Sequence, residues 1–223
     1  MGKPVKAFDN NSGILYAWHM NFSSIIAHYF DDIIIWLSLI IFILLFPSQT
    51  LAFERYNRVV KFDPYFSKYS KRYFGPGFDW RYFKAQAVAE SRLKAGAKSG
   101  VGAVGVMQIM PATFNEIKNR QPAIKGTRKQ PRWNIAAGIY YNRSIWKLWQ
   151  SKRPFQDRIN FMFGSYNAGK GNILKAQKLA KANGVNPNLW SSIETALPEV
   201  TRHHSRETIQ YIKKIHLIKG VLH

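Results

Sequence analysis

Residues Ala89–Pro111 read AESRLKAGAKSGVGAVGVMQIMP and contain one carboxylate, Glu90, followed at once by a glycine-rich stretch. Going back from Glu90, the residues Trp80, Phe83 and Ala87 recur at helical spacing, so a helix would put all four side chains on one face. Burial of that face would desolvate the carboxyl group and raise its pKa, as a general acid working near neutral pH requires. A glutamate that ends a helix and reaches into water is the alternative, and position alone favours it.

The stretch after Glu90 has glycines at positions 96, 100, 102 and 105, which would let the backbone turn sharply or come close to a ligand. It leads into VMQIMP, where Gln108 interrupts an apolar run. A primary amide can both donate and accept hydrogen bonds, as sugar hydroxyl and acetamido groups require. The alternative for Gln108 is an amide that caps a helix or faces solvent.

Helical patterns dominate the chain from Asp79 onward, and Asp79 itself is a predicted N-cap for the helix that leads to Glu90. The other predicted helices cover about 111–119, 134–150 with Asn134 as its cap, about 155–163, 173–183, and a last helix that begins near Ser205. No strand of useful length is predicted in 79–223. The predicted fold class is therefore all-α.

The stretch that begins at Glu90 resembles the signature of one enzyme family. That family, the lytic transglycosylases of the soluble type, has a Glu-Ser pair at a helix end. Its signature continues to a Gly-Ala-x-Gly-Leu-Met-Gln-Ile-Met-Pro run, from which this chain departs only at Val106. Because the family belongs to the goose-type lysozyme superfamily, the resemblance implies a lysozyme-like helical domain.

Three further blocks follow in the order in which the family has them. WNIAAGIYY at 133–141 resembles the Asn-Ile-x-x-Gly start of a helix. GSYNAGKGNI at 164–173 resembles an Ala-Tyr-Asn-Ala-Gly-x-Gly motif, with Ser165 in place of the first Ala. RETIQYIKKI at 206–215 resembles the closing Glu-Thr-x-x-Tyr-Val motif, with Ile212 in place of Val. One glycine-rich block would be weak support, whereas an ordered set of four is specific.

The resemblance covers roughly residues 78–219 and implies that Glu90 is the catalytic acid. It also implies a set of residues that position the acid or contact the sugar: Ser91, Ser99, Met107, Gln108, Tyr166, Asn167 and Tyr211. Of these, Met107 would form a wall of the cleft, Tyr166 and Asn167 would sit over the reacting ring, and Tyr211 would hydrogen-bond near the acid. In isolation, each residue has an ordinary structural explanation. No cofactor and no metal site are predicted.

The implied substrate is the glycan strand of peptidoglycan. Glu90 would protonate the oxygen between N-acetylmuramic acid and N-acetylglucosamine, and the 2-acetamido oxygen of the substrate would stabilise the oxocarbenium-like carbon, so that no second carboxylate is needed. Glu90 would then deprotonate the muramoyl C6 hydroxyl, which closes a 1,6-anhydro ring. A hydrolytic lysozyme of the same fold, with water in place of that hydroxyl, is the alternative.

The chain is strongly basic, with 33 basic and 12 acidic residues and a net charge of +21. Residues 1–52 hold two of the basic and three of the acidic residues, so the remainder holds 31 and 9, a net charge of +22. Such a surplus indicates a polyanionic partner: nucleic acid, anionic lipid or an acidic wall polymer. The four blocks favour the wall polymer, and no nucleic acid is expected. A non-catalytic basic protein tethered to a membrane is the alternative from another functional class. The chain has no cysteine, which excludes disulfides and thiolate chemistry.

The segment Ile33–Phe46 contains 14 residues without a charge and is closed by Pro47. A bilayer span needs about 20 apolar residues, so this segment is short for one. A single-pass anchor is predicted, with a cleaved secretory signal ending near Ala52, or a buried helix, as alternatives. The predicted organisation is an N-terminal segment at 1–32, the anchor or signal region at 33–47, a connector at 48–77 and the catalytic domain at 78–223.

The expected location follows from the substrate, which lies outside the cytoplasm. The basic residues Arg55, Arg58 and Lys61 follow the apolar segment and would favour a cytoplasmic C-terminal part, but long domains often override that bias. The catalytic domain is therefore expected on the periplasmic or cell-wall side of a membrane, held by Ile33–Phe46. Secretion after signal cleavage, or a place in a phage virion, are alternatives, and a secretion system or virion would supply an assembly partner.

Overall fold

The computed structural model describes residues 33–34, 36–38 and 51–223. The predicted N-terminal segment 1–32 lies outside the described residues, and so does most of the predicted anchor Ile33–Phe46. In the part of the chain that is described, no helix combines the length and the apolar character that a membrane crossing requires. Residues 52–223 form one compact unit, and this unit carries the four sequence blocks.

Eight α-helices lie between Asp63 and Val221, after a 3₁₀ turn at Arg55–Arg58. In chain order they are α1 (Asp63–Phe74), α2 (Arg81–Ser91), α3 (Pro111–Arg120), α4 (Pro131–Leu148), α5 (Phe155–Ala168), α6 (Lys170–Ala182), α7 (Trp190–Thr201) and α8 (His204–Val221). Over residues 51–223 the β-pairing is limited to isolated bridges that join Val104 to Lys98 and Ile109. The all-α prediction is confirmed.

Helix α1 lies in the segment that the sequence analysis treats as a connector. Phe66 and Tyr69 stand three residues apart, so they share a face of the helix, and both are buried where α1 packs against α4. Asp63 in the first turn pairs with the buried Lys84 of α2 at 2.9 Å. Residues 63–74 therefore belong to the helical core, and a connector does not describe them.

The predicted helix caps have different outcomes. Asp79 accepts a hydrogen bond from the backbone N–H of Arg81 at 3.0 Å, so it satisfies an open amide in the first turn as expected, although α2 itself begins at Arg81. Asn134 is not a cap, because α4 begins at Pro131 and places Asn134 within its first turn, fully buried. The side chain of Asn134 is used for contacts to a neighbouring loop instead.

Helix α5 is the centre of the fold. Its fully buried apolar side chains project in several directions and do not form one stripe: Ile159, Phe161, Met162 and Phe163. It packs against α4, α6 and α8. Each such side chain contributes about 1.5–3 kcal/mol when it is removed from water, so α5 fixes the positions of its neighbours.

Helices α2 and α8 pack against each other in opposite directions, and this pairing forms the site. At one end, Lys219 near the end of α8 pairs with Asp79 before α2 at 3.0 Å. Beyond α8, the backbone N–H of His223 donates to the Asn57 side chain at 3.2 Å, which ties the C-terminus to the 3₁₀ turn. At the other end, Tyr211 of α8 lies beside Glu90 in the last turn of α2.

Candidate active site

Glu90 is the centre of the candidate active site. The Tyr211 hydroxyl donates a hydrogen bond to Glu90 Oε1 at 2.5 Å, a short distance typical of a hydroxyl that donates to a carboxylate. The Glu90 side chain is only partly exposed, so a ligand could reach it while most of its surroundings are protein. Phe83 and Ala87, on the same face of α2, are fully buried, as the sequence predicts.

Helix α2 ends directly after Glu90. Arg92 and Leu93 both adopt left-handed backbone conformations, with φ of 55° and 57°, and the Arg92 N–H still bonds to the Val88 carbonyl at 2.9 Å. Two consecutive non-glycine residues in this region are unfavourable, and such strain is typical of functional sites. The sharp ending turns the chain away, so the carboxyl group of Glu90 is left at the edge of the helix bundle.

Burial raises the pKa of Glu90 from its ordinary 4.5 to about 7. The hydrogen bond from Tyr211 and the positive charge of Lys214 act in the opposite direction, and the negative charge of Glu207 adds to the increase. The net direction is the one expected from the sequence. A carboxylic acid with this pKa is about half protonated at neutral pH, so it can both give and take a proton there.

The glycine-rich loop after Glu90 is held by the side chain of Asn134. Asn134 Oδ1 accepts from the Met107 N–H at 2.7 Å, and its amide nitrogen donates to the carbonyls of Val104 and Arg128 at 2.9 and 2.8 Å. At Gly105, where φ is +82°, a Cβ atom would lie 2.5 Å from the Asn134 amide nitrogen. The glycine at this position is therefore required by both the backbone conformation and the close approach of Asn134.

The two predicted serines, Ser91 and Ser99, hydrogen-bond to the backbone of the loop and do not face an open cleft. Ser91 is buried, and its hydroxyl lies 2.7 Å from the Val106 carbonyl, which it can reach as a donor, so it joins the end of α2 to the loop. The Ser99 hydroxyl accepts from the Ala103 N–H at 3.0 Å and closes a turn within the loop. Both serines thus shape the loop that lies beside Glu90.

Gln108 has a left-handed backbone, with φ of 45°, and its side chain folds back onto the loop. Its amide nitrogen donates to the Gly105 carbonyl at 2.9 Å and to the Ala97 carbonyl at 3.3 Å. The donor half of this amide is therefore committed to the loop. Neither alternative from the sequence, a helix cap or a solvent-facing amide, describes it.

Met107 is fully buried, so its side chain is not an exposed wall of a cleft as the resemblance implies. It packs against Gly138 of α4, where an added Cβ would lie 2.8 Å from the Met107 Cβ. Both ends of its backbone are held, the N–H by Asn134 and the carbonyl by the Tyr166 hydroxyl at 2.8 Å. Met107 is an anchor for the loop because its side chain fills the core beneath it.

Tyr166 and Asn167 stand at the end of α5 and connect the loop to α8. The Tyr166 ring packs edge-on against Tyr141, with ring centroids 5.4 Å apart. Asn167 Oδ1 accepts from the Thr208 hydroxyl at 2.7 Å. Beside this bond lies an open groove of about 310 Å³ between the ends of four helices, lined by Asn167, Ala168, Asn172, Val200, Thr201, His204, Glu207 and Thr208.

Several polar residues of the site are not predicted by the sequence analysis as parts of it. Gln86, Asn142 and Asn134 are fully buried, and Thr208 is nearly so. Gln86 stands between two alanines, one helical turn before Glu90, and Asn142 lies on the buried face of α4. Polar residues at core-facing positions of a helix are a signal that could have identified them, because a buried amide requires partners.

Glu90 is therefore a partly buried carboxylic acid held by a tyrosine within an all-helical domain, an arrangement that can give and take a proton. The sequence comparison identifies a family, since residues 65–188 match the profile of the transglycosylase SLT domain family. The match covers more than half of the chain. The chain therefore belongs to the transglycosylase SLT domain family, and the resemblance stated from the four blocks is confirmed.

Curated relatives show similarity over most of this chain. The membrane-bound lytic murein transglycosylase F of Vibrio campbellii is 31% identical over 169 residues, which cover 74% of this chain and 30% of the relative. The protein of the same description from Shewanella pealeana is 30% identical over 165 residues, covering 73% and 32%. The chain thus spans about a third of the length of these curated relatives.

Solved structures share the fold. The 70 kDa soluble lytic transglycosylase SLT70 from Escherichia coli superposes with a TM-score of 0.54 at 25% identity, covering 73% of this chain and 24% of that one. An inactive mutant of the lytic transglycosylase Slt from Pseudomonas aeruginosa gives a TM-score of 0.56 at 21% identity, covering 72% and 24%. The predicted lysozyme-like architecture of the helical unit is confirmed by these neighbours.

Proposed function

We propose that this chain is a peptidoglycan lytic transglycosylase. It cleaves the β-1,4 bond between N-acetylmuramic acid and N-acetylglucosamine without water and leaves a 1,6-anhydromuramic acid end. The observation that carries the proposal is the position of Glu90, a partly exposed acid of raised pKa, hydrogen-bonded by Tyr211. Membership of the transglycosylase family, and the names of the relatives, support it.

In the first step, Glu90 protonates the glycosidic oxygen as that bond breaks. Because Tyr211 donates its proton to Oε1, that oxygen acts as an acceptor, and Oε2 is left to carry the acidic proton. The proton passes to the leaving O4 of N-acetylglucosamine. A pKa near 7 keeps enough of Glu90 protonated for this step at neutral pH.

The second step needs no second carboxylate. Three of the acids after Glu90 are bound elsewhere, Glu116 to Arg120 and both Asp157 and Glu194 to Trp190. Glu207 is close enough to raise the pKa of Glu90, but it is not used as a nucleophile or base in this proposal. The 2-acetamido oxygen of the substrate stabilises the positive charge at C1 instead, as in substrate-assisted glycosidases. Glu90, now a carboxylate, takes the proton of the C6 hydroxyl, whose oxygen attacks C1 and closes the anhydro ring.

The remaining site residues have positioning roles in this proposal. Ser91, Ser99 and Gln108 keep the loop beside Glu90 in one conformation, and Met107 anchors it in the core. Tyr166 and Asn167 lie between this loop and the polar groove. We assign the glycan strand to that groove. The groove offers amide, hydroxyl and carboxylate groups, which suit sugar hydroxyls.

Digestion of purified sacculi by the whole protein, followed by mass measurement of the muropeptides, tests the proposal. Anhydro ends, lighter by one water than hydrolysed ends, are the expected product. Hydrolysed ends would indicate a lysozyme instead, and binding without any product would indicate a basic wall-binding protein.

Glu90→Gln should abolish this activity while the fold is retained. Loss of a general acid lowers rates by about 10²–10⁴-fold. Glu199→Gln is the matched control, because it makes the same chemical change on the exposed surface of α7. Retention of more than a tenth of the wild-type rate in Glu90→Gln would exclude the mechanism.

A further inference from the structure

Behind Tyr211 lies a pair of fully buried amides, Gln86 of α2 and Asn142 of α4. Gln86 Nε2 donates to the Tyr211 hydroxyl oxygen at 3.2 Å, and Gln86 Oε1 accepts from Asn142 Nδ2 at 2.7 Å. The same Asn142 nitrogen donates to the backbone carbonyl of Gly138 at 3.0 Å. A continuous chain of hydrogen bonds therefore runs from the backbone of α4 to the carboxyl group of Glu90.

The donor-to-acceptor direction of these hydrogen bonds is fixed at the Gly138 end. The Gly138 carbonyl can only accept, so Asn142 must present its nitrogen there, and the nitrogen also faces Gln86. Gln86 must then turn its oxygen toward Asn142 and its nitrogen toward Tyr211. A tyrosine oxygen that accepts from Gln86 has its own proton free to donate to Glu90. If Gln86 were reversed, its oxygen would compete with Glu90 for that proton.

We propose that the Gln86–Asn142 pair is a positioning device that makes Tyr211 a permanent donor to Glu90 and so sets the pH range in which Glu90 can act as an acid. The consequence for activity rests on the proposed function. The effect on the titration of Glu90 does not, because it is a property of the folded protein alone.

The pair is not the arrangement that stability alone would favour. Asn142 Oδ1 is buried and has no hydrogen-bond partner in the described chain, which is unfavourable for the fold. Two apolar side chains of similar size would fill the same space without an unpaired acceptor. A polar pair in such a position needs another explanation, and its contact with the tyrosine that binds Glu90 supplies one.

Other groups also face Glu90 and are common to every variant below. From α8 these are Tyr211, Lys214 and Glu207, and from α5 it is Tyr166. Lys214 lowers and Glu207 raises the pKa of Glu90, and neither charge is altered by a change at Gln86 or Asn142. A shift seen in those variants therefore reports on the hydrogen-bond chain.

The primary test is the Gln86→Met variant, which keeps the length of the side chain and removes its donor. Without that donor, Tyr211 is a weaker donor to the carboxylate, so the pKa of Glu90 should rise by roughly half a pH unit. Carboxyl titration by NMR measures this directly. The alkaline limb of the rate profile on sacculi should move upward by the same amount, with KM unchanged.

A double-mutant cycle tests whether Gln86 acts through Tyr211. Tyr211→Phe removes the whole bond to the carboxylate and should raise the pKa of Glu90 by about 1–2 pH units. Gln86→Met should add nothing in the Tyr211→Phe background, because the group through which it acts is gone. An equal shift in both backgrounds would overturn the proposal.

A stability measurement separates positioning from simple packing. The double variant Gln86→Met/Asn142→Leu removes both amides and the unpaired acceptor, so its Tm should equal or exceed that of the wild type while the Glu90 titration shifts. A lower Tm with an unshifted titration would mean that the pair is only structural.

Asn142→Leu alone is a second test of the same inference. It frees the Gln86 amide to reverse, so it too should raise the pKa of Glu90. If the wild type does not cut sacculi while Gln86→Met still shifts the titration of Glu90, the proposed function is wrong and this inference stands.

Discussion

At the scale of single residues, Glu90 makes the stability of the protein depend on pH. Its pKa is raised from 4.5 in the unfolded chain to about 7 in the fold, so the folded state binds more protons between these two values. Its contribution to stability is therefore fully present below about pH 4.5. It is lost as the pH rises to about 7, and does not change further above that.

The Glu90→Gln variant should remove this dependence, because a neutral amide has no charge to desolvate. We expect it to be more stable than the wild type at pH 8, by up to about 3 kcal/mol, with the difference shrinking toward pH 4.5. Thermal or denaturant unfolding at both pH values measures it. Glu199→Gln should show no such trend, and a stability difference for Glu90→Gln that is the same at pH 5 and pH 8 would contradict the burial argument.

At the scale of elements, the loop between α2 and α3 depends on the contact between Gly105 and Asn134. Gly105→Ala would force a side chain into a left-handed conformation and against the Asn134 amide, so Asn134 would lose its bonds to Val104, Arg128 and Met107. We expect a destabilisation of about 2 kcal/mol or more and a loss of wall-cutting activity.

Gly100→Ala is the matched control for the loop, because Gly100 has no atom within 4 Å of an added Cβ. It should leave both the Tm and the activity close to those of the wild type. Similar losses in the two alanine variants would show that the loop needs flexibility in general and not this one contact.

The sequence predicts a helix best where apolar residues recur at helical intervals within one segment. The buried face of α2 and the last helix are predicted from this spacing, whereas α1 is not, because its aromatic and lysine-rich sequence is also typical of a connector. The three departures from the family's motifs, Val106, Ser165 and Ile212, are all buried, so each is a change in how the core is filled.

Partnerships between distant helices could not be predicted in the same way. Gln86 and Asn142 are 56 residues apart, and nothing in either local pattern specifies the other. The same is true of Asn134, which follows the pattern of a helix cap but binds a loop that precedes it in the chain. Such contacts depend on where the tertiary fold places α2, the loop after it and α4, which local periodicity does not encode.

At the scale of the whole molecule, we expect the catalytic unit on the cell-wall side of a membrane. Ile33–Phe46, which lies largely outside the described residues, is the proposed tether, and curated relatives are named membrane-bound. A reporter that works only outside the cytoplasm, fused after His223, tests this. Because His223 is hydrogen-bonded to Asn57, the fusion needs a flexible linker.

An active reporter is the expected result of that fusion. A silent reporter on a stable fusion protein would place the unit inside the cell, where a basic domain would meet nucleic acid and not peptidoglycan. N-terminal sequencing of the mature protein distinguishes the two exported forms, since a start at Phe53 would indicate a cleaved signal in place of an anchor.

The four sequence blocks are bonded to one another across the fold. Bonds between different blocks join Asn134 to Met107 and Val104, Tyr166 to Met107, Thr208 to Asn167 and Tyr211 to Glu90. Each block therefore completes another, and a change in one leaves a buried partner unsatisfied in the next. An engineer could not transplant this site into a different helical scaffold one block at a time. A descendant gene that loses one block should lose the contacts that hold the other three in place, and with them the arrangement around Glu90.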